Sequence, residues 1–148
     1  MEALLTAIVV WLSANYDLPA SFEHPRIEFA SAKVMSSRFY ENIARQEHAG
    51  IVLNQPEVDV VSLYGTETKT IYLLEGWRGK TPGELSMLVH EMVHHLQNVG
   101  QLKFACAQER EKLAYKAQDG WLGLFGSDLM REFQIDPFSL LVKTNCFY

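Results

Sequence analysis

The stretch Thr81-Pro82-Gly83-Glu84-Leu85-Ser86-Met87-Leu88-Val89-His90-Glu91-Met92-Val93-His94-His95-Leu96-Gln97-Asn98-Val99-Gly100 decides how the rest of the chain is read. Thr81 has the form of an N-cap and Pro82 fits the first helical position. Glu84 is placed to reach back to the cap, so a helix starts here. At about 100° per residue, Leu85, Leu88, Val89, Met92, Leu96 and Val99 fall on one apolar face. Gly100 is expected to close the helix in the left-handed conformation.

Within this helix His90-Glu91-Met92-Val93-His94 is an HExxH sequence in the helical context that the motif requires. A spacing of four sets both imidazoles one turn apart on one face, where two nitrogens can reach one Zn²⁺. Glu91 is rotated about 100° from His90, so it need not be a ligand and can instead serve as the base for an attacking water. The plain alternative is a solvated histidine pair, because His90 and His94 lie opposite the apolar stripe. A catalytic zinc takes three protein ligands, and no histidine follows His95, so the third must be a carboxylate. Glu109 and Glu111 on the next helix are the candidates, with Asp128 and Glu132 weaker ones. Helix phase favours Glu111: Glu109 falls among Lys112, Lys116 and Asp119 as a solvated salt-bridge partner, whereas Glu111 sits with Tyr115 and Gln118 beside Ala107 and Ala114.

Outward from the motif, Val58–Tyr64 and Thr70–Leu74 are β-branched and aromatic runs around Gly65-Thr66-Glu67-Thr68-Lys69, the pattern of a β-hairpin. Arg26–Ala30 alternates like a short strand, and Ser31 to Gln46 is helix-like, weakened at Ser36-Ser37. Leu4, Leu5, Ile8, Val9, Trp11 and Leu12 define a first helix that stops near Asn15-Tyr16-Asp17. A further helix spans about Cys106 to Trp121, with Cys106, Leu113, Ala114, Ala117 and Trp121 on its buried side. Beyond Gly126 a short helix and a packed tail are expected.

The chain has 148 residues, 48% of them hydrophobic and 11% aromatic, enough for one domain with a real core. With 13 Lys plus Arg against 18 Asp plus Glu and no basic stripe, a nucleic-acid partner is disfavoured. The apolar run Ala3–Leu12 falls short of the roughly 20 residues of a membrane span, and it lacks the basic flank and cleavage site of a signal peptide. Cys106 and Cys146 are too few for a disulfide scaffold and too far apart for a CxxC site; one bridge and two free thiols both fit. Location stays open: periplasmic or secreted if a signal peptide has been removed, otherwise cytoplasmic.

His90-Glu91-Met92-Val93-His94 followed by Glu111-Lys112-Leu113-Ala114 resembles the HExxH plus downstream glutamate arrangement of gluzincin metallopeptidases. The string Val89 to Gln97, with Cys106, Arg110-Glu111, Ala114-Tyr115, Gln118 and Trp121-Leu122, is similar to small bacterial proteins of the DUF6647 type, over about residues 58 to 122. The resemblance implies a single zincin-like α+β domain over residues 1–148: a small mixed or antiparallel sheet with the hairpin, packed on the HExxH helix and the Glu111 helix. It also implies that Thr70–Leu74 lines the substrate cleft as an edge strand. The expected function is zinc-dependent hydrolysis of a peptide or related amide, with His90, His94 and Glu111 as ligands and Glu91 as the base. Tyr115 stands where an aspartate supports a zinc-bound histidine in the gluzincin pattern; it is expected to take that role, to stabilise an oxyanion, or to pack in the core. The alternative is a metal-stabilised interaction module without turnover. His95 is expected to be structural, His24 and His48 carry no signal, Gln97 and Gln118 read as surface residues or partners of the ligands, and Trp77 and Trp121 as core or cleft-wall residues.

Overall fold

The computed structural model describes residues 1–46 and 56–147, and His48 lies outside them. The protein is mixed α+β. In chain order the elements are α1 (Glu2–Tyr16), β1 (Arg26–Ala30), α2 (Ala32–Gln46), β2 (Ser62–Gly65), β3 (Thr70–Leu74), α3 (Pro82–Val99), α4 (Ala107–Gly123), α5 (Leu129–Phe133) and α6 (Pro137–Thr144). They fall into two compact units: Pro25–Arg78, which holds the sheet, and Met1–His24 with Gly79 onward, which holds α1 and α3 to α6.

In the sheet unit the strand order is β1-β3-β2, with β3 parallel to β1 and antiparallel to β2. The hairpin forms as expected, but β2 is confined to its last residues and starts only at Ser62. The larger correction concerns Thr70–Leu74, which is the central strand and not an edge. Arg26↔Thr70 through Ala30↔Leu74 pair on one side and Ser62↔Leu73 through Gly65↔Thr70 on the other. With both of its hydrogen-bonding rims occupied, β3 has no free rim to offer an extended ligand. Its near-continuous burial from Thr70 to Leu73 is that of a strand covered on both faces. Helix α2 runs through Ser36-Ser37 without a break; Ser36 Oγ accepts the backbone N–H of Val58 at 3.0 Å. Ala30, Met35 and Tyr72 form the buried cluster of this unit, and the Arg38 guanidinium lies over the Tyr72 ring at 4.3 Å.

In the helical unit α3 packs chiefly on α4, which also carries α6, and α1 lies against both α3 and α4. Leu5, Ile8, Val9 and Leu12 bury one face of α1, and Asp17 ends it with a left-handed φ of 55°. Helix α3 starts as read: Thr81 Oγ1 accepts the N–H of Glu84 at 3.1 Å. The Glu84 carboxylate accepts from Lys80 at 2.8 Å, one residue before the cap. Its end differs. Gly100 is right-handed, with φ −78°, and the left-handed position is Gln101, with φ 54°. Gly100 is required for another reason: a Cβ there would lie 2.8 Å from Pro19 Cγ and 3.0 Å from the Leu96 carbonyl oxygen. Only a residue without a side chain lets the segment after α1 cross the end of α3 so closely.

Cys106, the N-cap of α4, is bonded to Cys146 beyond α6, with the Cα atoms 5.9 Å apart. The tail after Gly126 forms two short helices, α5 and α6, each opened by an aspartate, Asp128 and Asp136, that accepts a backbone N–H. The disulfide closes a loop with a sequence separation of 40. In the chain-entropy account, closing a loop of this length removes about 4 kcal/mol of disorder from the unfolded chain. Urea unfolding of the Cys106→Ser/Cys146→Ser variant should accordingly show a loss of about 2–4 kcal/mol. An unchanged midpoint would mean that the unfolded chain is already compact between these two positions.

Candidate metal centre

Ser86, His90, His94 and Gln97 recur at three or four residues along α3, and Glu111, Tyr115 and Gln118 do the same along α4, so each set forms one stripe. The packing of α3 on α4 brings the two stripes together. Ligand-capable atoms of His90, His94 and Glu111 all lie within 4.8 Å of one another, and the three can hold a metal ion. His90 Nε2 is 3.0 Å from Glu111 Oε2, and His94 Nε2 is 3.2 Å from Glu111 Oε1, so one carboxylate spans both imidazoles. The histidine side chains are only 12% and 8% exposed, which removes the reading of a solvated pair.

The opposite nitrogens of the two rings are also engaged. His90 Nδ1 lies 2.9 Å from Gln118 Oε1, and His94 Nδ1 lies 3.0 Å from Gln97 Oε1. Gln97 Nε2 donates to the Arg110 carbonyl at 3.1 Å, and Gln118 Nε2 donates to Ser86 Oγ at 3.2 Å. Both glutamines are buried, so neither is a surface residue. Ser86, which the motif pattern does not include, is buried as well.

Glu91 is a buried carboxylate on the same helix and is not one of the three ligand-capable residues, as its phase relative to His90 requires. The Tyr115 ring meets the His90 ring edge to face, with centroids 4.7 Å apart. The remaining carboxylates go elsewhere. Glu109 accepts the backbone N–H of Ala105 at the start of α4, which makes it a helix-end acceptor where an exposed lysine pair was expected. Asp128 caps α5, and Glu132 accepts from Ser127 Oγ. His95 is fully buried, with Nε2 donating to the Glu23 carbonyl at 2.7 Å, a structural tie as expected. His24 Nε2 lies 2.9 Å from Thr6 Oγ1. Trp121 packs edge to face on Trp11, and Trp77 tilts against Phe29.

Electrostatics follow from this burial. Desolvation works against a charged His90, but the hydrogen bond to Glu111 and the nearby charges of Glu91 and Glu111 outweigh it and raise its pKa. Desolvation likewise works against a charged Glu111, and the two histidines overcome it and hold its carboxyl well below the usual range. Burial, with the charges of Glu111 and Glu91, pushes the Tyr115 hydroxyl far up. It stays protonated, a hydrogen-bond donor, at any physiological pH.

The site defines a class: a two-histidine, one-glutamate centre carried by two packed helices. A family model described as a domain of unknown function, DUF6647, matches residues 1–147, and the chain belongs to that family. Among curated proteins and among solved structures, no match was found.

The pKa shifts predict how metal-free protein responds to pH. The raised His90 contributes stability fully below its ordinary 6.5 and loses it as pH rises through the raised value. The depressed Glu111 contributes above its ordinary 4.5 and loses it as pH falls through the lowered value. With metal removed by a chelator, the stability advantage of wild type over Glu111→Gln should therefore be largest between about pH 4.5 and 6.5 and shrink on both sides. Urea midpoints across pH 3 to 9 check this, and an advantage that does not vary with pH would contradict the pairing.

Proposed function

We propose that the protein is a zinc-dependent hydrolase of the gluzincin type acting on a peptide or related amide bond. The observation that carries this reading is the convergence of His90 Nε2 and His94 Nε2 on the two oxygens of Glu111. Tetrahedral zinc with bonds of about 2.0–2.2 Å separates neighbouring ligand atoms by roughly 3.3–3.6 Å. The two imidazoles stand 3.0 and 3.2 Å from different oxygens of Glu111, and one donor atom from each of the three residues lies within 4.8 Å of the others, close enough to contract onto one ion. The donor set fits in charge too. With Nδ1–H of both rings directed to glutamine oxygens, neutral imidazoles would aim lone pairs at a carboxylate. A cation among the three atoms, or a proton on each Nε2, relieves that repulsion, and one divalent ion does so without two adjacent imidazoliums in a buried space.

His90, His94 and Glu111 would hold the zinc, which when bound supplies a Lewis acid and lowers the pKa of water. Glu91 would take the proton of the attacking water and return it to the leaving amine nitrogen. Tyr115, held protonated beside His90, would donate a hydrogen bond to the carbonyl oxygen as negative charge develops there. Support for the amide class of substrate comes from the resemblance of the Glu111-Lys112-Leu113-Ala114 segment to gluzincin peptidases. The disulfide supports an oxidising compartment, periplasmic or extracellular, as the place of action.

A second reading, a metal-stabilised interaction module without turnover, is favoured by one observation: Leu124, Phe138 and Phe147 of the helical unit are 62%, 74% and 70% exposed. The carboxylate of Glu91 separates the two. Zinc-loaded wild type and Glu91→Gln should bind the metal alike, while cleavage of an unfolded protein or a peptide library, read by mass spectrometry, falls about 10²- to 10⁴-fold in the variant. Undiminished cleavage by Glu91→Gln would overturn the mechanism, and no cleavage by wild type would favour the interaction module.

A further inference from the structure

A glutamine amide can present either its oxygen or its nitrogen, and what it presents to a histidine is decided by its other partner. For Gln97 that partner is the Arg110 carbonyl, which can only accept, so Nε2 faces it at 3.1 Å and Oε1 is left for His94 Nδ1. For Gln118 the partner is Ser86 Oγ, whose one proton goes to the Gly83 carbonyl at 2.7 Å. The hydroxyl is therefore an acceptor for Gln118 Nε2 at 3.2 Å, and Oε1 is left for His90 Nδ1. Two backbone carbonyls thus set the direction of both chains of hydrogen bonds. Reversing either amide would put its oxygen against the Arg110 carbonyl or the accepting Ser86 hydroxyl, acceptor against acceptor among buried groups, where an unmade hydrogen bond is costly.

We propose that Gln97 and Gln118 are positioning residues of the metal centre: their amide oxygens hold Nδ1–H of His94 and His90, turning both Nε2 atoms to the cation, and Ser86 locks the second amide in that orientation. The inference rests on the metal-binding reading above. The carboxylate that supports a histidine in the gluzincin pattern is replaced by neutral amides, and Tyr115 is left to pack on the His90 ring. Neutral supports have a consequence. Glu111 is the one anionic ligand-capable residue among the described residues at the centre, so a divalent ion held there keeps more of its positive charge than it would with carboxylates behind the histidines.

Metal affinity of the full-length protein tests the proposal independently of any activity. Metal-free wild type, Gln97→Met, Gln118→Met, Gln118→Glu and Ser86→Ala are titrated with Zn²⁺ against a chromophoric chelator. Co²⁺ absorption reports ligand geometry, and circular dichroism reports folding. Each Met variant, close in shape but without the amide, should bind roughly 10- to 100-fold more weakly and shift the Co²⁺ bands. Gln118→Glu, which keeps an acceptor oxygen and adds charge, should bind at least as tightly as wild type. Ser86→Ala touches no ligand and should weaken binding by about 2- to 10-fold through Gln118 alone. Folded Met variants that bind like wild type would overturn the positioning role and leave the metal centre standing. Should the Met variants fail to fold, wild-type affinity in Ser86→Ala, or weakened affinity in Gln118→Glu, would overturn it equally. A wild type that binds neither ion would overturn both the centre and this role.

Discussion

The contact on which the helical unit depends is the bridge from one carboxylate to two imidazoles: Glu111 Oε2 to His90 Nε2 and Glu111 Oε1 to His94 Nε2. It demands that α3 and α4 pack face to face at one relative rotation, because a shift of one residue on either helix turns a ligand about 100° away. Apolar contacts alone set such a rotation loosely. Small residues on α4, Ala114 and Ala117, are both fully buried and leave room for close neighbours. The hydrogen bonds of Gln97 and Gln118 across the same seam then fix the phase. Where α3 gives way to α4, Gly100 lies close against Pro19 and the disulfide ties Cys106 to Cys146.

Two poorly exposed histidines and a half-buried glutamate are costly to bring together when nothing balances them. The raised His90 and the depressed Glu111 show the protein doing so with protons, each group holding the other in its charged form. One divalent ion would balance the same charges with shorter bonds. Glu91 and Tyr115 border this cluster without belonging to it, one a buried carboxylate and the other a hydroxyl kept protonated by its surroundings. A carboxylate and a protonated hydroxyl near a cation site are the kinds of group that the proposed amide hydrolysis would use.

Local chemistry was the legible part of the sequence. Thr81, Pro82 and Glu84 marked the start of α3 because capping involves residues only a few positions apart. Phase along α4 separated Glu111 from Glu109 because the helix is regular, although the actual partner of Glu109, the Ala105 N–H, was not foreseen. What could not be read depended on distant partners. The parallel pairing that makes β3 central joins Arg26–Ala30 to Thr70–Leu74 across a long connection, and nothing local in either run announces it. Gly100 carries a C-cap signature, but its role is set by Pro19, far away in the chain. Gln97 and Gln118 did carry a signal: each shares a helical stripe with a ligand, Gln97 with His94 and Gln118 with Glu111. Their polarity suggested the surface because a stripe does not say which helix it faces.

Metal content tests the central claim most directly. Wild type supplied with zinc, then dialysed and analysed by mass spectrometry of the elements, should retain about one zinc per chain. Glu109→Ala should retain as much, since that carboxylate serves only the start of α4. Glu111→Ala should lose most of it, because two histidines without an anionic ligand leave the charge of the ion unbalanced. Wild type that stays free of metal, or Glu111→Ala that holds zinc as well as wild type does, would contradict the account.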